Sequence, residues 1–599
     1  MKPRPWADLL LINARVLTMD PRRPTAEAVA VRGDRILAVG TVADLRRLRG
    51  PTTDIADAGG GVAIPAFHDA HCHILSYARL RSRVDCRSLR SIAAIGAAIA
   101  ERAREVPPGG WVRAAGYDET LLAERRHPDR WDLDAAVLDR PVRLQHRTLH
   151  LDVLNTRGLA LLGLLDATAP EVERDPDTGK ATGRVYHGGE LLRARWGGGG
   201  YPPALRLPRG SGARSPQSRQ PSPARGDGAN YTLSPSTLEG GVLNSPLPLD
   251  GGGLGRGWPG WNANAPLLEG SEADPEADLA ADVRTASERL LQRGITTIQD
   301  ATFTNGPGEW ALFHRLTVAG DLRVRVVMFQ DVRFWRGPYE TDSQRGNHDV
   351  PSTAGARLPR VRLGPVKIML DEGRSDVGEV QAAVADARAA GLAVAFHAVT
   401  EAEVAIARAT RQVAPPRRRV GGLPPTARGP DRIEHGAIIP EALLSDVRAA
   451  GVAVVGQPAL VHERGDVYLS EHSSETHGWL HRSRSLVRAG ILYAAGSDAP
   501  VTDPSPALSL YAARTRRTIG GHSLGAAEAL GRTGALAAHT LAPAQVVGFG
   551  PELGRLRPGA LADIAVLDPE VVEAKDLPAT ARPVRLTIME GQIVWRRPF

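Results

Sequence analysis

Short runs in which apolar and polar residues alternate lie at both ends of the chain. The first are LLLINARVLTM and EAVAVRGDRILAVG within residues 8–65, and the last are ADIAVLD at 562–568 and VRLTIMEGQIVW at 584–595. A period of two is typical of β-strands with one buried face. Because two β-rich ends flank a middle of different pattern, we expect residues 1–63 and 550–599 to form one composite, β-sandwich-like domain.

The middle of the chain alternates amphipathic stretches that end in glycine with short apolar runs. A glycine at this place is the usual left-handed terminator of a helix. The apolar runs that read as strands number eight and lie at 61–73, 295–300, 322–330, 362–370, 392–398, 432–436, 452–458 and 491–498. Alternating helices and buried strands predict a parallel sheet, and eight strands close a (β/α)8 barrel. We therefore predict an α/β protein with a TIM barrel over residues 64–549.

A long insertion separates the first two predicted barrel strands, over residues 75–290. Its runs GWVRAAGYDE, RPVRLQHRTLHLDVLNTRGLALLG and GRVYHGGELL carry strand and helix patterns, so part of it is folded in the manner of a cap. The segment 197–260 is rich in Gly, Pro and Ser. Such a composition buries too little apolar surface to offset the entropy of ordering, so this segment is predicted to be disordered.

Charge and composition exclude several classes of protein. The 74 basic residues exceed the 67 acidic ones by a net charge of only +7, and no helix-turn-helix or zinc-finger pattern accompanies them, so nucleic-acid binding is not expected. No apolar run approaches the ~20 residues that span a membrane. Only Cys72 and Cys86 are present, which excludes a disulfide framework and favours a reducing compartment. We predict a cytoplasmic protein.

Two histidines end the first predicted barrel strand, in the sequence FHDAHCHI. His71 and His73 are two residues apart, so on a strand they share one face and can bind one metal ion. An isolated pair of this kind is more often an ordinary pair of polar residues at a strand end. The apolar run before it, and Asp69 nearby to orient an imidazole, favour the metal-binding interpretation.

Three more polar residues close later predicted strands. His397 ends LAVAFH, His435 ends RIEH and Asp498 ends YAAGSD. Barrel active sites are assembled at this end of the strands. Together with the first pair, these side chains place four histidines and one carboxylate at a single barrel mouth.

One lysine stands within an apolar run. The chain has four lysines, namely Lys2, Lys180, Lys367 and Lys575, and uses arginine for its other basic residues. An exposed lysine is the usual interpretation, yet Lys367 lies inside GPVKIML. A buried lysine, unlike arginine, can lose its proton. It can then react with carbon dioxide to give a carbamate that bridges two metal ions, or it can form a Schiff base.

These motifs resemble the amidohydrolase superfamily, most closely its amidohydrolase-3 or YtcJ-like branch, which includes N-substituted formamide deformylase-like proteins. The resemblance extends over nearly the whole chain except about 197–270. The segments that carry it are IPAFHDAHCHI, GWVRAAGYDETLL, RHPDRWDLDAAVLDRPV, HRTLHLDVLN, GRVYHGGELL, GITTIQDA, VKIMLDEG, RIEHG, GQPALVHERGDVYL, AGSDAPVTDPSP and GRLRPGALADIAVLD.

The resemblance implies a set of site residues and a cofactor. The residues that it assigns to the metal are His71, His73, Lys367, His397, His435 and Asp498. The metal implied is one or two zinc ions, with Lys367 carboxylated at its side-chain nitrogen. The residues expected to contact a substrate are His150, Asn155, Gln457 and His462.

The function that follows is a metal-dependent hydrolase of a small-molecule amide, formamide or related N-acyl amine, acting on carbon–nitrogen bonds other than peptide bonds. Metal-activated hydroxide would attack the carbonyl, with Asp498 as general base. A mononuclear deaminase of the same superfamily is an alternative, although such sites generally lack the lysine. A non-catalytic barrel that binds a ligand is another, and it predicts losses among the metal residues. A homo-oligomer is left open, and no nucleic-acid or membrane partner is expected.

Overall fold

The structure is a computed structural model that describes residues 6–80, 83–106, 109–147, 151–186, 192, 275–332, 359–371, 375–413, 429–573 and 583–598. His150 and the segment 197–260, for which disorder is predicted, lie outside these residues. Among the helices within them, none has both the length and the apolar character needed to cross a membrane.

Eight parallel strands form one sheet in which each strand pairs with its neighbour in chain order. They are β1 (Phe67–Cys72), β2 (Ile295–Asp300), β3 (Arg325–Asp331), β4 (Val361–Met369), β5 (Val394–Ala398), β6 (Arg432–His435), β7 (Ala453–Gly456) and β8 (Tyr493–Ala495). Backbone hydrogen bonds from Asp498 N to His71 O (2.7 Å) and from His73 N to Ala499 O (2.8 Å) join the two ends of the sheet. The predicted (β/α)8 barrel is confirmed.

Helices follow the barrel strands and cover the sheet. Apart from the three helices that pack with the sheet of the insertion, the helices from β1 onward are Ile74–Arg79, Pro275–Gln292, Pro307–Ala319, Val377–Ala389, Glu401–Val413, Glu441–Ala450, Pro458–Glu471, Ser474–His477, Arg484–Arg488, Pro506–Thr515, Arg532–His539, Leu541–Gln545 and Pro569–Glu573. Gly320 and Gly451, which directly follow two of them, have left-handed φ values of 81° and 64°, as the helix–glycine pattern predicts. Phe313, Val384 and Val447 pack from the helices onto the barrel in the largest hydrophobic core.

Strands from both ends of the chain form two further sheets. One contains Ala7–Ile12, Ala28–Arg32, Arg35–Gly40 and Arg49–Asp57, and the other contains Arg15–Leu17, Thr25–Ala26, Val62–Pro65, Ile564–Leu567, Val584–Met589 and Gln592–Arg596. Leu11, Val31, Val566 and Ile588 belong to one core that both sheets share. The composite β-domain of the predicted fold class is therefore confirmed.

The insertion after β1 contains a mixed six-stranded sheet. Its strands are Val84–Asp85, Val112–Tyr117, Val142–His146, Leu151–Leu154, Val172–Arg174 and Ala181–Tyr186, and its helices are Ile92–Ala103, Arg130–Ala136 and Thr156–Leu161. Arg464, on the barrel helix Pro458–Glu471, pairs with Asp118 of the insertion. This buried ion pair ties the insertion to the helix that follows β7. The residue bounds of the domains, as given from the sequence, remain predictions.

Candidate metal centre

Five of the six predicted metal ligands lie together at the carboxyl end of the barrel strands. Asp498 Oδ1 lies 3.4 Å from Nε2 of His71 and 3.1 Å from Nε2 of His73. His435 joins them, because ligand atoms of His71, His435 and Asp498 all lie within 4.8 Å of one another. His397 completes the cluster, with its Nδ1 atom 3.1 Å from Nε2 of His435.

The outer nitrogens of three imidazoles are held by hydrogen bonds. Nδ1 of His71 contacts the carboxylate of Glu434, Nδ1 of His73 lies 2.9 Å from Thr302 Oγ1, and Nδ1 of His435 lies 3.0 Å from Gln457 Oε1. A carboxylate and an amide oxygen can only accept, so Nδ1 carries the proton in His71 and His435, and we assign the same tautomer to His73. The Nε2 lone pairs are thereby directed inward, which is how proteins orient histidine ligands.

This donor set fits a divalent metal. Neutral imidazole nitrogens and a carboxylate oxygen are the ligands that zinc takes in catalytic sites. Burial lowers the pKa of His435 to about 3 and that of His397 well below its ordinary value, so both rings are neutral near pH 7. Burial alone would raise the pKa of Asp498, but the charge of His71 and the close contacts with His71 and His73 lower it, so this carboxylate is ionised.

The pocket also attracts positive charge. Burial and the charge of Lys367 act to lower the pKa of His71, but the carboxylates of Glu434 and Asp498 outweigh them and raise it. His71, Glu434 and Asp498 are all at most 8% exposed. Two buried carboxylates beside one imidazole are an environment in which a cation is stabilised.

Lys367 lies in the same buried environment, on β4, in register with Ala395 of β5. Its side chain is 4% exposed. Burial lowers the pKa of its amine to about 8, although the charges of Glu434 and Asp498 act in the opposite direction. Roughly one tenth of the amine is therefore neutral at pH 7, against fewer than one in a thousand for an ordinary lysine.

The backbone at two of the predicted ligands is strained. His435 has a φ of 70° and Asp498 a φ of 56°, in the left-handed region that non-glycine residues rarely adopt. Each such residue costs on the order of 1–3 kcal/mol and persists only where its surroundings hold it. Strain of this kind is concentrated at functional sites.

Sequence reasoning missed Glu434, which precedes His435 on β6. Its carboxylate contacts both His71 and Arg432. Arg432 is fully buried, donates to Ala70 O at 2.9 Å and stacks on Phe329 with its guanidinium carbon 4.4 Å from the ring centroid. A glutamate on a completely buried strand needs charged or hydrogen-bonding partners. The one signal of its role in the sequence was therefore an acidic residue within an apolar strand.

Asp69 is predicted to orient an imidazole, and the structure corrects this. Its carboxylate accepts hydrogen bonds from the Ser497 backbone (2.9 Å), the Ser497 hydroxyl (2.6 Å) and the His71 backbone (3.2 Å). The carboxylate therefore ties β1 to the segment that carries Asp498. Glu434 takes the place that was predicted for Asp69.

The predicted substrate contacts lie in different surroundings. The amide of Asn155 is fully buried, accepts from the backbone of Val142 and Gly158, and donates to the carbonyls of Val137 and Arg140. Since each of its polar atoms is engaged, Asn155 is not available to a substrate, which corrects the prediction.

Gln457 and His462 are also buried. Gln457 is completely buried behind His435, so it orients a predicted ligand instead of facing a substrate. Nδ1 of His462 donates a hydrogen bond to Arg517 O at 2.9 Å, and the His462 ring packs on Tyr511. Both side chains thus have protein partners in the positions where substrate contacts are predicted.

Comparisons with known proteins agree with this geometry. Residues 54–194 and 239–595 match the model of the amidohydrolase family. An N-substituted formamide deformylase from Arthrobacter pascens is 25% identical over 619 residues, which cover 98% of each chain. The YtcJ protein of Bacillus subtilis strain 168 is 29% identical over 165 residues, or 27% of this chain and 30% of that protein. The crystal structure of an uncharacterized metal-dependent hydrolase from Pyrococcus horikoshii has the same fold, with a TM-score of 0.63, 19% identity, and coverage of 94% of this chain and 98% of the other.

Proposed function

Because the chain belongs to the amidohydrolase family, as its motifs predict, we propose that it hydrolyses a carbon–nitrogen bond of a small-molecule amide, formamide or related N-acyl amine. The observation that carries this proposal is the buried convergence of His71, His73 and His435 on Asp498. The name of the formamide deformylase that is similar over the full length makes N-substituted formamides the first substrates to test.

We propose that His71, His73, His397, His435 and Asp498 hold one or two zinc ions. When bound there, zinc lowers the pKa of a water molecule from 15.7 to roughly 7 and polarises a substrate carbonyl. Glu434, Thr302 and Gln457 hold the rings in the tautomer that this requires. Lys367 is proposed as a further ligand after carboxylation: its neutral Nζ forms a bond to the carbon of carbon dioxide and one N–H proton leaves to solvent.

Asp498 is the proposed catalytic base. Its ionised Oδ1 atom accepts a proton from the water that attacks the carbonyl carbon, and it returns that proton to the nitrogen when the carbon–nitrogen bond breaks. The 3.1 Å contact between Asp498 Oδ1 and His73 Nε2 supports this role, because it places the oxygen beside a predicted ligand at the open end of the strands. General acid–base catalysis of this kind contributes about 10²–10⁴-fold to a rate.

The test combines metal analysis with kinetics. Asp498→Asn should lower kcat by at least about 10²-fold on whichever N-formyl or N-acyl amine the wild type cleaves. Asp466→Asn is the matched control, since Asp466 is a partly exposed carboxylate bonded to Thr518 and His522. Full activity of Asp498→Asn would refute the assignment, and metal-free protein that keeps its rate would refute the metal-dependent reaction.

Lys367→Ala separates a site with two metals from a site with one. If carboxylated Lys367 bridges two ions, the variant should lose one metal equivalent and most of its activity. Bound metal is measured by mass spectrometry and activity is measured with and without added bicarbonate. A variant that keeps both its metal content and its rate would contradict the bridging role and favour a mononuclear centre.

A further inference from the structure

A second group of metal-ligating side chains lies in the insertion and shares no residue with the barrel centre. Glu119, His127 and His146 each offer one ligand atom, and these atoms lie within 4.8 Å of one another. Oε2 of Glu119 lies 2.7 Å from Nε2 of His146 and 3.6 Å from Nδ1 of His127. In a tetrahedral zinc site with bonds of about 2.1 Å, neighbouring ligand atoms are about 3.4 Å apart. One of the two distances from Glu119 is shorter than this separation and the other is longer.

The three side chains come from separate pieces of the chain that are held rigidly. His146 ends the strand Val142–His146, and Glu119 begins a short 3-10 turn, which is capped by Asp118 through a hydrogen bond to Thr120 N at 3.0 Å. His127 lies in a loop whose backbone is held by Arg184, with hydrogen bonds of 3.0 Å to His127 O and 3.1 Å to Pro128 O. A preorganised arrangement of ligands costs little ordering entropy when an ion binds.

An aromatic residue supports the two rings. The Tyr117 ring packs edge-on against both His127 and His146, with centroids 5.9 and 5.1 Å away. Partners of this kind fix the orientation of ligand rings in metal sites. The side chains of Glu119 and His127 are each 26% exposed, so an ion can enter from solvent.

We infer that Glu119, His127 and His146 form a zinc site that braces the insertion. Two histidines and one glutamate are a ligand set that zinc uses, with water as the fourth ligand. The ion links the turn after Val112–Tyr117, the loop before Arg130–Ala136 and the end of Val142–His146. The site shares no residue with the barrel centre, so it goes beyond the hydrolysis proposed there.

The test counts zinc ions in the full-length chain. Protein freed of metal by a chelator is incubated with Zn²⁺, passed through gel filtration and analysed by mass spectrometry. The wild type should bind one equivalent more than Glu119→Gln or His146→Gln. Glu105→Gln is the matched control, because Glu105 is an exposed carboxylate of the same insertion that pairs with Arg102, and it should keep the wild-type count. Equal counts in wild type and Glu119→Gln would overturn the inference.

A second variant keeps the test decisive if a substituted insertion fails to fold. His71→Ala/His435→Ala removes two ligands of the barrel centre and leaves the insertion unchanged. This variant should retain one zinc equivalent, should show the visible absorption of four-coordinate Co²⁺ after exchange, and should melt at a higher temperature with Zn²⁺ than with chelator. Loss of all zinc from this variant would overturn the inference and would leave the barrel proposal intact.

Discussion

The carboxylate of Glu434 links the proposed metal centre to the barrel interior, and its replacement by glutamine is the sharpest test of the site. Glu434 contacts His71 on one side and Arg432 on the other, and all three residues are at most 1% exposed. Glu434→Gln keeps the size of the side chain and removes its charge. Loss of a partner that orients a histidine ligand typically weakens metal binding 10–100-fold, or about 1.4–2.7 kcal/mol.

The effect on stability follows from the same contacts. Removing one partner of a buried ion pair costs about 3–5 kcal/mol, because the other charge is left without compensation. The glutamine oxygen can still accept from Arg432, which also keeps its hydrogen bonds to Gln299 and to the carbonyl of Ala70. We therefore expect the free energy of unfolding to fall by about 3 kcal/mol, at the lower end of that range.

Two measurements check the prediction. Competition with a chromophoric chelator gives the metal affinity, and urea unfolding of the metal-free protein gives the stability. Glu441→Gln is the control, because Glu441 also pairs with an arginine, Arg482, but its side chain is 74% exposed. The control should change stability by less than about 1 kcal/mol and should leave metal binding unchanged. The prediction would be refuted if Glu434→Gln bound metal within twofold of the wild-type affinity and unfolded with unaltered free energy.

Three further substitutions test other parts of the structure. A Cβ atom on Gly496 would lie 2.6 Å from the Cβ of His71, so Gly496→Ala should weaken metal binding at least tenfold in the same competition assay. Gly534→Ala is the control and should leave metal binding unchanged, because its Cβ would meet nothing closer than 3.8 Å. Asn155→Ala should lower the free energy of unfolding in urea by about 2 kcal/mol, because it removes a helix cap and leaves buried backbone groups unpaired. The folded variant should keep the wild-type kcat, and a lost kcat at normal stability would restore the predicted substrate contact. Burial lowers the pKa of His539 to about 4, so the folded protein keeps this ring neutral where the unfolded chain binds a proton. The free energy of unfolding should therefore fall by up to about 3 kcal/mol as the pH falls from about 6.5 to 4. In His539→Gln the slope of this free energy against pH should be smaller by the equivalent of about one proton. An unchanged slope in urea unfolding would contradict the prediction.

The barrel could be predicted from sequence because its signals are local. Several helices are followed by a left-handed glycine, such as Gly320 and Gly451, and then by a short apolar strand. The alternation is therefore visible within windows of about 20 residues. The positions of His397, His435 and Asp498 then followed from the rule that parallel strands assemble a site at their carboxyl ends. Local pattern plus topology was sufficient for these side chains.

Pairings between distant segments could not be predicted in the same way. Glu434 and His71 are 363 residues apart, and no periodicity relates them. The prediction for Asn155 failed for another reason. A motif gives the position of a residue in the chain but not the direction of its side chain, and the amide of Asn155 points to backbone groups instead of a substrate. The cluster of Glu119, His127 and His146 has irregular spacing, so only the folded insertion brings its members together.

The closure of the barrel has a consequence for the newly made protein. The hydrogen bond from Asp498 N to His71 O is part of the seam between β8 and β1, and the same two residues carry ligand atoms of the proposed centre. Domains fold as units during synthesis, from the amino terminus onward. A nascent chain thus holds its histidine pair early, but it acquires a complete site only when Asp498 has left the ribosome. Metal capture should therefore mark one of the last steps of maturation, and a chain truncated before Asp498 should emerge without a working centre.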